Sequence, residues 1–262
     1  MPPEYRYPRR IMLSILRDFI IGNARAFRSD SAHLAKGVSR MEIVGDKPCG
    51  AGPFLFLINH YSHRGFRAWW IAIALTAAAG RDLHWPMTAA WTFPDPLRSR
   101  IVTPAAVWAL ARIARMYGFT LMPPMPPRAK DAAARADAVR RILRLARREK
   151  PSIGMAPEGM DSPDGRLTAP PAGAGRFIAL LVEAGYTPVP VGIYEEGDAL
   201  RLRFGKPFAI PKTAGGDPDL YDRGIRLLVM KKIGELLPED LTPPPSPTPS
   251  HSPFWEGGRG TG

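Results

Sequence analysis

The chain reads as a single α/β domain, and three features of its 262 residues carry that reading. Short apolar runs bounded by turn residues, such as Phe54–Ile58 after Gly52-Pro53, have the length of buried strands. They alternate with segments of helical length and period, such as Trp69–Ala79 and Arg128–Glu149. Two of the strands run straight into polar clusters, Asn59-His60-Tyr61-Ser62-His63 and Pro157-Glu158-Gly159. Open α/β sheets place reactive groups at the C-terminal edge of their strands in this way. The expected architecture is a central, mostly parallel or mixed sheet flanked by helices.

Composition narrows the class. Hydrophobic residues make up 45% and charged residues 23%, as in soluble globular domains. One cysteine, Cys49, excludes an internal disulfide framework and reads as a loop thiol. The net charge of +12 is unevenly spread: residues 1–150 carry +15 and residues 151–262 carry −3. A basic surface of this kind attracts anionic membrane or nucleic acid, and charge alone does not choose between them. No run of eighteen apolar residues predicts a transmembrane helix. The N-terminus lacks the cleavage site of a signal peptide, so the expected location is cytoplasmic.

Taken in order, Ile11, Met12, Ile15, Leu16, Phe19 and Ile20 fall at helical spacing, with Arg9, Arg10, Arg17 and Arg25 around them. That pattern suits an amphipathic helix lying in a membrane interface, or one packed on the domain with arginines in solvent. Met41–Gly45 is a first strand and Phe54–Ile58 a second. The segment from Trp69 is apolar on nearly every side, which predicts burial or lipid contact. Trp85, Trp91, Trp108 and Tyr117 lie among prolines and arginines, and a helix is expected over Val107–Met116. These aromatics fit an interfacial belt, a stacking platform for bases, or plain core.

A strand over Gly118–Met122 ends at the proline run Pro123–Pro127. The helix over Arg128–Glu149 shows an apolar stripe of Ala132, Ala136, Val139, Leu143 and Ala146, with arginines elsewhere. Ser152–Ala156 is a further strand, followed by a loop and a helix over Arg176–Ala184. Thr187–Ile193 is a strand whose prolines favour an edge or entry position. Leu200–Phe204 is another strand, and Leu220–Leu237 a final helix. From Pro238 the chain is proline-rich and expected to be disordered or polyproline-like. There is no metal-spaced Cys/His cluster, no phosphate-loop glycine pattern and no Gly-x-Ser-x-Gly.

Over roughly residues 40–210 these pieces resemble the glycerol-phosphate and lysophosphatidate acyltransferase family. The family's first block, Asn-His-x-x-x-x-Asp after a strand, is matched by Asn59-His60 and the residues up to Gly65. Its second, a glycine-led strand, is matched by Gly118-Phe119. Its third, a strand and then Phe-Pro-Glu-Gly-Thr-Arg, is matched by Ala156-Pro157-Glu158-Gly159-Met160-Asp161. Its fourth, a proline-bearing strand after a helix, is matched by Val189-Pro190-Val191. The order and spacing agree. The departures are Gly65 where the family carries its dyad aspartate, and Met160 and Asp161 in place of Thr and Arg.

The resemblance implies an O-acyltransferase moving a fatty acyl chain from acyl-CoA or acyl carrier protein to a hydroxyl of a lysophospholipid or similar acceptor. His60 is then the general base, because a hydroxyl attacks poorly until an imidazole takes its proton. Asn59, Gly118, Pro157, Glu158, Gly159 and Arg166 are the expected substrate-binding residues, Arg166 standing in for the missing acceptor arginine. No metal and no cofactor are implied beyond the acyl thioester itself. Gly65 cannot orient the His60 ring. Asp161, Glu158 or a backbone carbonyl is the expected replacement, and His63 a possible stand-in base, read as a surface histidine. The alternative is a weakly active or inactive lipid-binding relative. The domain plan is a basic membrane-interface helix (1–36), an acyltransferase-like domain (37–237) and a disordered tail (238–262). The expected partner is the anionic inner face of the cell membrane rather than a specific nucleic acid.

Overall fold

The structure is a computed structural model, and residues 1–63, 65–91, 95–160, 162, 164–212 and 217–242 are described. In chain order the strands are β1 (Met41–Val44), β2 (Phe54–Ile58), β3 (Leu83–His84), β4 (Pro86–Thr88), β5 (Thr120–Met122), β6 (Ser152–Met155), β7 (Thr187–Glu196) and β8 (Ala199–Phe204). The helices are α1 (Arg9–Ile21), α2 (Phe27–Leu34), α3 (Trp69–Ala79), α4 (Pro96–Tyr117), α5 (Ala132–Arg148), α6 (Ala174–Glu183) and α7 (Pro218–Gly234). Among the described residues the main sheet runs β1-β8-β7-β2-β6-β3. Neighbouring strands are parallel except for the antiparallel pair β7 and β8. The α/β reading, with a mostly parallel sheet flanked by helices, holds.

Strand β2 lies inside the sheet, and all five of its residues are buried. A strand covered on both faces needs an unbroken apolar run rather than an alternating one, which is what Phe54–Ile58 supplies. Helix α3 is apolar all round for the same reason: Trp70, Ile71, Ile73, Ala74, Leu75 and Ala78 are buried.

Several sequence-based expectations need correction. Pro188 and Pro190 predict an edge or entry position for β7, yet it is an interior strand between β2 and β8. The ladder explains how. Strand β8 pairs with β7 only from Val191 onward. Before that point, the carbonyls of Pro190 and Pro188 accept from the Gly205 and Phe208 amides at 2.9 and 3.2 Å. The N–H of a strand residue points to the same side as its carbonyl. The missing proline donors therefore face an irregular segment rather than the β2 ladder.

Helix α4 begins eleven residues before the expected start, with Pro104 inside it. Helix α2 and strands β3 and β4 escaped the periodicity. Strand β5 pairs with β4 in a separate two-stranded sheet and not with the main one. In α5 the buried line is Ala138, Ile142 and Ala146, flanked by Val139 and Leu143, while Ala132 is exposed. The last helix, expected to reach Leu237, closes at Gly234. Residues 239–241 form a short 3-10 turn, and the Leu167 amide donates to the Leu241 carbonyl at 2.9 Å. The remainder of the proline-rich tail, residues 243–262, lies outside the described residues.

His84 on β3 is a buried histidine with a structural task. Its Nε2 lies 3.0 Å from the Thr120 hydroxyl, joining the two sheets. Burial pulls its pKa from 6.5 down to about 4, so the fold holds it neutral. The unfolded chain binds the proton more readily, so the stability is complete above pH 6.5 and is lost as pH falls towards 4. The full effect is about 3 kcal/mol, from roughly 1.4 kcal/mol per pKa unit. Urea unfolding midpoints between pH 7 and 4 should fall more steeply in the wild type than in His84→Gln. Equal slopes would count against this role.

Candidate active site

The topology explains why two motifs far apart in sequence can share a site. Strands β2 and β6 are parallel neighbours with Leu57 opposite Met155. Their C-terminal ends therefore lie side by side, and each continues into one of the polar clusters. The contact is direct: the His60 backbone N–H donates to Glu158 Oε1 at 2.7 Å. Glu158 Oε2 accepts from the Thr168 amide at 2.7 Å and from the Thr168 hydroxyl at 3.0 Å. Only 2% of Glu158 is exposed. Burial pushes its carboxyl pKa up, and the hydrogen bonds from His60 and Thr168 pull against that without cancelling it.

Each neighbour of this contact has a local cause. Gly159 closes a turn, its amide donating to the Ala156 carbonyl at 3.1 Å, and Pro157 is buried beneath it. Gly165 allows the following loop to lie on the His60 loop. A Cβ there would sit 2.6 Å from the Ser62 carbonyl oxygen, and its φ of +72° is left-handed. Beside Glu158 opens a cleft of about 240 Å³, lined by Met125, Met160, Ser162, Thr168, Ala169 and Pro171.

Asn59 is committed to the scaffold. Its side-chain amide donates to the Ile193 carbonyl at 2.8 Å, and its side-chain oxygen accepts from the Ile193 amide at 2.7 Å. A side chain thus extends the β2–β7 ladder one step beyond the end of β2. With 1% exposure, it has no face for a ligand.

Two other expected site residues have different contacts. Arg166 donates to the Asp240 carbonyl at 3.0 Å and pairs with Asp164, so it fastens the end of the described chain. Gly118 lines a different cleft, with His84, Arg115 and Arg141. Of the candidate carboxylates for His60, Glu158 reaches its backbone rather than its ring, and Asp161 lies outside the described residues. Gly65 has a φ of +99°, a backbone that strains any L side chain.

Sequence reasoning missed an imidazole–carboxylate pair. His63 Nε2 lies 2.5 Å from Glu195 Oε2. The Tyr5 hydroxyl donates to the other oxygen of Glu195. Glu195 sits on the part of β7 that projects beyond β2, and its side chain is 7% exposed. The strand expected over Thr187–Ile193 stops short of it, and nothing local in the sequence links it to His63. Thr168 was missed as well, since it lies in a loop without pattern.

Comparison with solved structures finds a crystal structure of the 1-acyl-sn-glycerophosphate (LPA) acyltransferase, PlsC, from Thermotoga maritima. It is 14% identical, with a TM-score of 0.43, over 80% of this chain and 77% of that one. No protein-family model matches the chain. No curated protein matches it either. Likeness of that extent is silent on the chemistry of the site.

Proposed function

We propose that the protein moves an acyl chain from a thioester of coenzyme A or acyl carrier protein to the hydroxyl of a lysolipid-like acceptor. The observation that carries this reading is the meeting of His60 and Glu158 at the C-terminal edge of β2 and β6. The two blocks have the order, spacing and strand context of the acyltransferase motifs they resemble. In this reaction the acceptor oxygen attacks the thioester carbonyl carbon while His60 takes its proton. The tetrahedral adduct then expels the thiolate, which receives the proton from the imidazolium. Glu158 and Thr168 hold the two loops together rather than bind the acceptor. The apolar side of the cleft, Met125, Met160, Ala169 and Pro171, suits the start of an alkyl chain.

The reading includes an attachment to anionic membrane. Ile11 and Ile15 of α1 pack on the core, but Met12, Leu13, Leu16, Ile20 and Ile21 are exposed. Helix α4 exposes Ile101, Val102, Val107 and Trp108 as well, the Trp108 ring edge-on to Phe19 of α1 at 5.3 Å. Arg112 of α4 donates to the Phe19 carbonyl at 2.6 Å and the Ile20 carbonyl at 2.5 Å, capping α1. Arg9, Arg10 and Arg17 of α1 and Arg100 of α4 are exposed too, a composition suited to an acidic interface. Among the described residues no helix is long and apolar enough to cross a membrane.

The test is transfer of a labelled acyl chain from either donor to lysolipids, with and without phosphate, presented on anionic vesicles. Product with at least one acceptor is expected. Gly65, standing where the motif it resembles carries an aspartate, favours one second reading, a lipid binder without turnover, which vesicle binding with no product from any donor and acceptor would support.

A further inference from the structure

The loop that carries His60 is fixed at three points. Asn59 is bound to Ile193 of β7, the His60 amide to Glu158, and His63 to Glu195 at the far end of the same strand. The third point does not stop at Glu195, because the Tyr5 hydroxyl holds its other oxygen. Burial and the charge of Glu195 raise the Tyr5 pKa, so the hydroxyl stays a donor. Tyr61 and Phe66 pack against the His63 ring at 5.5 and 5.7 Å.

Tyr5 itself is well anchored. The Glu4 amide donates to the Ser39 hydroxyl at 2.9 Å, and the Arg6 amide to the Gly37 carbonyl at 2.7 Å. The Tyr5 ring lies 5.7 Å from Phe66 and 5.1 Å from Trp70. Four residues later the chain enters α1.

The geometry points to Tyr5, Glu195 and His63 as positioning residues that hold the His60 loop from its far end and fasten it to the N-terminal segment. Glu195 is the hinge of this chain of contacts. It is the group through which a hydroxyl of the segment leading into α1 acts on the loop after β2. Any shift of that segment is therefore felt at His60. The kinetic side of this inference rests on the acyl-transfer reading, whereas the positioning itself does not.

Tyr7 supplies the control. It belongs to the same segment, its ring stacks on Trp70 at 5.1 Å and its hydroxyl accepts from Trp69 Nε1 at 2.8 Å. It therefore loses an equivalent hydroxyl without touching Glu195. The full chain is compared as wild type, Tyr5→Phe, Glu195→Gln and Tyr7→Phe. Imidazole nitrogen NMR reads the environments of His60 and His63, and the acyl-transfer assay reads kcat and KM.

Glu195→Gln and Tyr5→Phe should move the resonances of both histidines, and Tyr7→Phe neither. With acceptor KM unchanged, kcat should drop about a hundred-fold in Glu195→Gln, the scale of an ångström of misplacement, and less in Tyr5→Phe. A His60 resonance indifferent to Glu195→Gln overturns the inference, as does one that moves while kcat stays put. A wild type without turnover removes the acyl-transfer reading instead, and the resonances then decide the positioning alone.

Discussion

Replacing Glu158 with alanine should both loosen the fold and abolish whatever chemistry the His60 loop performs. Its two carboxylate oxygens serve three donors: the His60 amide, the Thr168 amide and the Thr168 hydroxyl. With Glu158 only 2% exposed, removing it takes the acceptor from all three of these part-buried donors. Each stranded donor costs about 1–3 kcal/mol, so a loss of at least about 3 kcal/mol in unfolding free energy is expected. Glu158→Gln separates the two effects. An amide offers one oxygen and one NH₂, so it must set a donor against either His60 or Thr168. It should fold with a smaller penalty and still displace the His60 loop. Chemical denaturation gives the first effect and the transfer rate the second. A fully stable, fully active Glu158→Ala would show that this carboxylate does not join the loops.

Arg25 is the second position where one side chain decides a large energy. Its guanidinium donates to both oxygens of Asp30 at 2.7 Å, to the Ser14 hydroxyl at 2.9 Å and to Asp18. Asp30 also accepts from the Tyr117 hydroxyl at 2.9 Å, so the cluster binds α1, α2 and α4 together. The Asp30 side chain is 4% exposed. Removing that guanidinium leaves a buried carboxylate without its paired charge, which costs about 3–5 kcal/mol. Arg25→Met should therefore lower the urea midpoint sharply, and Arg25→Met with Asp30→Asn should recover part of the loss. A single mutant as stable as wild type would mean the cluster contributes nothing. Because α1 carries the exposed apolar surface, the same substitution should weaken binding to anionic vesicles.

How much of this was visible beforehand depends on whether a signal is local. The run Phe54–Ile58 declares a strand with both faces covered, and the all-round apolar Trp69–Ala79 declares a buried helix. Asn59-His60 and Pro157-Glu158-Gly159 mark strand ends by their position alone. That the two ends are neighbours follows from β2 and β6 being adjacent, which is a tertiary fact carried here by the motif resemblance. The roles inside the site were far less legible. Asn59 looks like a ligand group in sequence and is a surrogate rung of the sheet. Glu158 looks like an acceptor contact and is a tie between main chains. The partnership of His63 with Glu195 spans 132 residues and depends on β7 outrunning β2. The prolines of β7 misled because the rule assumes a partner strand on both sides along the full length, and β8 ends at the register of Val191.

In the proposed reaction an imidazole on the loop after β2 activates an acceptor hydroxyl. The most direct measurement is the initial rate of labelled acyl transfer on anionic vesicles by wild type and His60→Ala at equal concentration. A fall of about a hundred-fold or more is expected, the scale of losing a general base. Equal rates would contradict the claim.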